Sequence, residues 1–397
     1  MKLCIDVGTT TIAIAAFDDF SGLRIEETFL NQQRFFGVDV ISRIKASMDG
    51  SGEMLRSLLQ NNLSQGVDRI LEKAGVRENS ITSVTLAANT TMVHLLLGYS
   101  CQNLSAYPFE PVFLDTLTLP SHEIFGKDKL TCPITILPGI SAFIGGDILS
   151  GLYQINMDQR EELTFFLDLG TNGEMALGNK NRILTASAAA GPAFEGGNIK
   201  YGMAAIKGAI YHIDLIDEKI SFKTIEYGRP VGICGSGIID LASELLKNKI
   251  MDSTGLLREP YFSEGFYVTK APQGKEGIGF FQSDIREVQM AKSAIRVGIQ
   301  LLCKEYGCRE SDIKKVYLSG AFGSSSNLEK AFDIGLFPLS WKNVLTPLGN
   351  TSLLGAIKYA TQKDSEFRTF VIKKKSQVLY LANSPDFEKE YISHLNF

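Results

Sequence analysis

A two-domain α/β fold is what this sequence predicts, from three observations. Apolar runs of strand length alternate with segments whose apolar residues recur at helix spacing. The chain has 397 residues, more than one hydrophobic core usually serves. One strand–turn–strand pattern also occurs twice, as CIDVGTTTIAIAAF (Cys4–Phe17) and FLDLGTNGEMAL (Phe166–Leu177). Asp6, Gly8 and Thr9 of the first fall on Asp168, Gly170 and Thr171 of the second.

Lys2 to Phe17 sets β-branched residues around a Gly-Thr-Thr turn and reads as two strands of a hairpin. Leu55, Leu58, Leu59, Leu63, Val67, Ile70 and Leu71 predict a helix over Gly52–Ala74. SVTLAANTTMVHLLLG reads as a strand at Val84–Ala88, a polar turn and a short helix. Residues 101–136 read as irregular and proline-punctuated, and PGISAFIGGDILSGLYQ as a small-residue helix. The charged break MDQREEL places the domain junction between residues 157 and 158, giving domains of 1–157 and 158–397.

The second half restarts with the repeated turn. ASAAAGPAFEGGNI reads as a small-residue loop and GICGSGIIDLASELL as a Gly-rich turn opening a helix. Asp284 to Tyr306 is the clearest helix, with Asp284 as its cap, Glu287 completing a capping box and Gly307 stopping it. KKVYLSGAFGSSSNLEKAF reads as strand, Gly turn and helix, with Ser326 or Asn327 as the cap.

Hydrophobic residues make up 44% and charged residues 21%, the balance of a folded chain rather than a disordered one. A net charge of −4 gives no basic footprint for nucleic acid. No apolar run approaches the ~20 residues a membrane span needs, and MKLCIDVGTTT enters a strand without a secretory leader, so a cytoplasmic protein is expected. The six cysteines (4, 101, 132, 234, 303 and 308) lack CxxC or cluster spacing.

A glycine at a hairpin bend lets backbone N–H groups approach an anion, and Thr9 and Thr10 add hydroxyls. An aspartate beside a phosphate calls for a cation or an ordered water between them, and oxygen donors of this kind suit Mg²⁺. Asp6 and Asp168 are therefore the candidate metal or water ligands. A third Gly turn, LSGAFGSSSN (Leu318–Asn327), follows a strand and opens a helix, a geometry suited to a nucleotide, and it is not a Walker A loop.

The three turns in this order resemble the actin, sugar-kinase and heat-shock-chaperone ATPase superfamily. DVGTTT then corresponds to the first phosphate loop, DLGTNGE to the second and LSGAFG to the adenosine loop. PGISAFIGGDILSG and LGNTSLLGAIKYA correspond to the two interdomain connecting helices. The implied architecture is a two-lobed actin/hexokinase-like (ribonuclease H-like) ATPase fold with duplicated mixed-sheet domains and an interdomain nucleotide cleft.

Longer stretches resemble one family within it, the ATP-dependent reductive activators of corrinoid proteins. They are NQQRFFGVDVISRI, AANTTMVHLLLG, DLGTNGE, AAAGPAFEGG, GICGSGIID, QSDIREVQMAKSAIRVGI and the ending NSPDFEKEYISHLNF, and the resemblance runs from about residue 3 to the C-terminus. It implies ATP-driven return of Co(II) corrinoid to Co(I) beside corrinoid-dependent methyltransferases, with a corrinoid protein as partner and a homodimer as the assembly. Better-known members carry an N-terminal iron–sulfur domain. This sequence begins at the ATPase fold and its cysteines lack cluster spacing, so no iron–sulfur cluster is expected on it and electrons come from a separate ferredoxin-like donor.

Carried onto this sequence, the family pattern puts ATP and Mg²⁺ at Asp6 and Asp168, with Gly8, Thr9, Thr10, Gly170, Thr171 and Asn172 on the phosphates. Gly320, Gly323 and Ser324 belong to the adenosine loop. Asp147 either orients the attacking water as general base or bonds a loop amide; Asn89 lines the nucleotide cleft or forms a strand-end turn. Glu195 contacts the ribose or holds a neighbouring loop. His94 reads as a satisfied core residue, and Cys234 as a small buried residue with a weaker redox alternative. The competing readings are a small-molecule kinase, a dehydratase-activator-like ATPase and a nucleotide-gated scaffold.

Overall fold

The structure is a computed structural model and describes residues 1–18, 22–126, 129–269, 277–320 and 328–397. Two compact units divide the chain. The first comprises Met1–Glu161, Gly178–Ile183 and Asn350–Val378; the second comprises Glu162–Leu177, Leu184–Gly349 and Leu379–Phe397.

In the first unit the predicted hairpin is β1 (Lys2–Val7) antiparallel to β2 (Thr11–Phe17), and β3 (Arg24–Leu30) pairs on the far side of β2. β1 runs parallel to β4 (Ser83–Ala88), and the sheet has the order β3-β2-β1-β4-β6-β5. The strands β5 (Leu117–Pro120) and β6 (Pro133–Ile136) fall in 101–136, which the sequence presents as irregular. Both are four residues long with a proline at one end, too short to establish a period.

Both faces of β1 are covered. Leu3, Ile5 and Val7 pack with Leu55, Leu59 and Leu63 of the helix Gly52–Ala74, whose limits are those its periodicity predicts. Cys4 faces the other way, into a cluster with Leu353 and Ala356 of the helix Thr351–Thr361. Asp6 shares the parity of Cys4, so the end of β1 aims its carboxylate toward the start of that helix.

The helix Thr351–Thr361 crosses the helix Gly146–Gln154 at Gly355, where an added Cβ would stand 2.0 Å from the Ser150 carbonyl oxygen. Gly355→Val is therefore expected to lower unfolding stability by at least the ~1–3 kcal/mol of ordinary overpacking. Urea denaturation checks this. The small-residue segment before Gly146 is bends rather than the predicted helix, because its backbone must pass within contact of Asn89 and Leu137. Farther along, Arg368 makes a bidentate pair with buried Asp158, Nε–Oδ2 2.8 Å and Nη2–Oδ1 2.7 Å, pinning the helix Ser365–Lys375 to the MDQREEL segment.

The second unit repeats the opening motif as β7 (Thr164–Leu169) and β8 (Gly173–Gly178), followed by β9 (Ile183–Ala188). A small sheet of β10 (Ala209–Ile216), β11 (Lys219–Thr224) and β12 (Gly232–Ile233) lies under the helix Gly235–Lys247, and β13 (Phe266–Tyr267) pairs with β14 (Gly279–Phe280). β15 (Lys315–Ser319) is parallel to β7 on one side and to β16 (Leu345–Gly349) on the other. Phe165, Leu167 and Leu169 of β7 build the core with the long helix Gln282–Tyr306. That helix starts two residues before the predicted position. Asp284 is its third residue, accepting from the Phe281 N–H at 2.9 Å, and Gly307 ends it in the left-handed conformation. No described helix is long and apolar enough to cross a membrane.

Candidate functional site

In the first unit the site starts with the β1–β2 turn. Gly8 donates its N–H to the Thr11 carbonyl at 2.9 Å, and a Cβ there would lie 2.8 Å from that oxygen, so the turn requires glycine. Asp6 is half-buried near the end of β1. Its Oδ1 accepts from Ser352 Oγ and its Oδ2 from Asn350 Nδ2, each at 2.7 Å. Burial raises its carboxyl above the usual aspartate range, while the two donors pull it back down. Asn350 also caps the helix Thr351–Thr361 by accepting from the Leu353 N–H at 2.8 Å.

That arrangement sets a sign. Ser352→Ala removes a donor that favours the charged form, so the Asp6 carboxyl rises further. If turnover requires the carboxylate, the acid limb of its pH–rate profile moves to higher pH; profiles of wild type and variant measure it.

Thr9 accepts from Asn89 Nδ2 at 3.2 Å on its hydroxyl, and Asn89 Oδ1 caps the helix Thr90–Leu97 through the Met92 N–H at 2.9 Å. Asn89 thus tethers the turn to a helix start. Gly145 packs on Asn89, where a Cβ would meet its Cα at 2.5 Å, and this brings the first turn of the helix Gly146–Gln154 alongside. Asp147 stands in that turn and accepts from the Ile148 N–H of the same helix at 2.8 Å. His94 is fully buried, with Nδ1 2.8 Å from the Thr90 carbonyl and Nε2 accepting from the Val112 N–H at 3.0 Å. It is a satisfied core residue, and burial lowers its pKa.

In the second unit Asp168 ends β7 beside Ser319 of β15, whose hydroxyl donates to Asp168 Oδ2 at 2.7 Å. Gly320 follows with φ +96°. A Cβ on it would lie 2.5 Å from the Leu169 carbonyl oxygen and 3.2 Å from Asp168 Oδ1. The Gly170 N–H donates to the Asn172 carbonyl at 3.0 Å, closing the turn, and Thr171 Oγ1 donates to Glu195 Oε2 at 2.6 Å. Asp168, Gly170, Thr171, Asn172, Glu195 and Gly320 therefore gather at the adjacent ends of β7 and β15. Glu195 holds a neighbouring loop, one of its two alternatives. Gly323, Ser324 and the capping candidates Ser326 and Asn327 lie outside the described residues.

Beyond the Gly turn, the helix Leu328–Asp333 carries Lys330 into a group of acids. Its ammonium lies 2.8 Å from Asp214 Oδ1, 3.0 Å from Glu244 Oε1 and 3.4 Å from Asp240 Oδ2, and it also donates to the Ile213 carbonyl. His212 bridges Asp240 and Asp214 at 2.7 and 2.9 Å. Asp240 Oδ1 is buried with no partner.

Cys234 is buried at the start of the helix Gly235–Lys247, with its thiol 3.4 Å from the Ile210 carbonyl oxygen, as a small buried residue would be. Cys303 and Cys308 are free thiols that hydrogen-bond each other, and burial raises both. Burial also pushes Cys101 up to about 11. Thiols raised in this way are poor metal ligands at neutral pH. Among the described residues no three His, Cys, Asp or Glu side chains gather as a metal-binding group.

Sequence reasoning missed Asn350, Ser352, Ser319 and Arg43, which hold the turns from outside them. Asn350 carries a visible signal as the polar residue opening a predicted helix; nothing local marks the other three as partners of an aspartate or a turn.

Two family models account for the chain. The RACo middle region matches residues 1–160, and the C-terminal domain of RACo, the ASKHA domain, matches residues 162–397. The chain is 30% identical over 416 positions to the corrinoid activation enzyme RamQ of Eubacterium limosum, covering all of this chain and 70% of that protein. It is 31% identical over 312 positions to the [Co(II) methylated amine-specific corrinoid protein] reductase of Methanosarcina barkeri, covering 71% of this chain and 55% of that one. The solved structure of a reductive activator for a corrinoid, iron–sulfur protein superposes with a TM-score of 0.92 at 32% identity, over all of this chain and 66% of the other. The chain thus spans between about half and just over two thirds of each of these relatives. With both of its regions matched along nearly their whole length, this chain belongs to the RACo family of corrinoid reductive activators.

Proposed function

We propose that this chain is an ATP-hydrolysing activator that drives the one-electron reduction of corrinoid Co(II) to Co(I) in a partner protein, returning it to methyl transfer. The observation that carries the reading is a similarity to corrinoid activators that covers all of this chain, joined to an aspartate–glycine turn in each unit. The electron comes from a separate ferredoxin-like donor. ATP and water become ADP and phosphate, and the Co(II)/Co(I) couple, very low in potential, takes the electron while nucleotide-driven conformational change supplies the uphill part.

In this reading Gly8, Thr9 and Thr10 of the first unit and Gly170, Thr171 and Asn172 of the second hold phosphate oxygens. Asn89 and Glu195 support these turns, Gly320 with Gly323 and Ser324 takes the adenosine, and Asp147 orients the attacking water. Asp6 and Asp168, each taken in its own unit, are oxygen donors of the kind Mg²⁺ takes. One carboxylate per unit, each already accepting from hydroxyl or amide donors, suits a cation that keeps its waters and leans on phosphate rather than on an all-protein cage. Asp6 and Asp168 would hold it, and it would neutralise phosphate charge. The domains 1–157 and 158–397, a homodimeric assembly and a cytoplasmic setting belong to the same proposal.

The test measures phosphate release from ATP and Mg²⁺ by the purified chain, alone and with a Co(II) corrinoid protein and reduced ferredoxin, while visible absorption follows Co(I). Expected are ATP turnover stimulated by the corrinoid protein and Co(I) formation that stops when EDTA removes the metal. A chain that neither binds ATP nor responds to the corrinoid protein overturns the proposal. ADP release driven by a small metabolite instead would make it a kinase.

A further inference from the structure

The segment Asn31–Arg43 has no assigned role, yet its polar side chains converge on the turn after β1. Asn31 is fully buried. Its Nδ2 donates to the Gly8 carbonyl at 2.9 Å, and its N–H donates to the Thr10 carbonyl at 3.0 Å. Between them, Arg43 Nη2 donates to the Thr9 carbonyl at 2.6 Å. Three successive carbonyls of the turn are therefore held from one side by two residues.

Arg43 is fully buried, which is costly for a guanidinium unless its charge is used. It comes from the helix Val40–Ala46, capped by Asp39 through the Ser42 N–H at 2.7 Å. Its Nε donates to the Gly37 carbonyl at 3.1 Å, and its Nη1 lies 3.4 Å from Gln33 Oε1 and 3.5 Å from Met92 Sδ. Gly37 must be glycine for this approach: its φ is +151°, and a Cβ would sit 2.3 Å from Ser42 Cβ. The planar fork thus serves two carbonyls at once, which a lysine ammonium on a flexible stem would not reproduce.

Two physical consequences follow. A trans peptide is planar, so fixing the Thr9 carbonyl fixes the orientation of the whole Thr9–Thr10 peptide. A buried positive charge one peptide away is also little screened by water, so it raises the potential where an anion would rest.

We propose that Arg43 is a positioning residue for the nucleotide's phosphates, its buried guanidinium holding the Gly8–Thr10 turn in the conformation that takes them. The inference rests on the ATP reading above and adds a residue to it. The role concerns phosphate and not the nucleoside, so ATP and adenosine separate it from general loss of structure.

Calorimetric titration of wild type, Arg43→Lys and Arg43→Met with ATP and with adenosine tests it. Loss of a charge-assisted hydrogen bond to the turn is expected to raise the ATP Kd roughly tenfold or more in Arg43→Met, with adenosine within about twofold of wild type. Arg43→Lys, keeping charge without the fork, is expected in between, at roughly threefold. A folded Arg43→Met whose ATP Kd is unchanged, or which weakens ATP and adenosine alike, overturns the inference. If Arg43→Met does not fold, Arg43→Lys decides alone: an unchanged ATP Kd overturns it and a selective rise supports it. Wild type that binds no ATP refutes the nucleotide reading itself and the inference with it.

Discussion

Asp168→Asn is expected to lower ATP turnover on the order of 10²-fold or more, the scale set by losing a charged group at the reacting phosphate. Asparagine keeps the shape and the hydrogen bond from Ser319 Oγ, 2.7 Å from Asp168 Oδ2, so packing at the ends of β7 and β15 is preserved. The negative charge and one acceptor oxygen go, and with them the proposed means to hold Mg²⁺ or its waters. The melting temperature should stay close to wild type while kcat collapses. Steady-state kinetics and thermal melting on one preparation check both. A variant retaining most of the wild-type kcat would remove Asp168 from the proposed chemistry and leave it as a strand-end ligand of Ser319.

Lys330→Met is expected to cost stability rather than chemistry, by about 3–5 kcal/mol, the usual penalty for removing one partner of a buried ion group. The ammonium pairs with Asp214, Asp240 and Glu244 at once, and Asp240 already has an unpartnered buried oxygen. The hydrogen bond from Lys330 is the main influence holding the Asp214 carboxyl below its usual range, whereas burial raises that of Asp240.

The pH dependence has a definite sign. Without Lys330 the buried acids are harder to ionise in the folded state than in the unfolded chain, where carboxyls titrate near about 4. A folded pKa above the unfolded one gives stability that is present at low pH and lost as pH rises through the folded value. The deficit of Lys330→Met relative to wild type should therefore grow from mildly acidic to neutral pH. Urea denaturation at two pH values measures this, and a deficit that shrinks as pH rises would mean the carboxylates are not coupled to the lysine. Lys330 lies on the helix that follows the Gly turn, so the variant also reports how firmly that helix is tied to the small sheet.

The features legible in the sequence were those written in short-range pattern. The helix Gly52–Ala74 was bounded correctly because seven apolar positions recur at helix spacing from Leu55 to Leu71. The hairpin at Asp6 was legible because β-branched residues flank a glycine bend, and the one at Asp168 because it repeats that Asp-x-Gly-Thr pattern. The short strands β5 and β6 were not, since four residues with a proline at one end are too few to establish a period. Asp284 was read as a cap because an acid at a helix start is ambiguous between the cap and the third position, and only the Phe281 N–H settles it.

By itself the sequence determined the two aspartate–glycine turns and the long helices Gly52–Ala74 and Gln282–Tyr306, because backbone conformation and strand or helix period are local properties. The tertiary structure alone decided what those turns rest on. Asp6 takes its donors from Asn350, 344 positions away, and from Ser352, because alternation along β1 puts Asp6 on the face that the returning helix Thr351–Thr361 covers. Thr9 takes its support from Arg43, because a buried guanidinium must find acceptors and the turn's carbonyls are within its reach. Such pairings arise where distant segments are forced onto one strand end by burial of the sheet's two faces, and no local pattern of residues encodes which segments meet there.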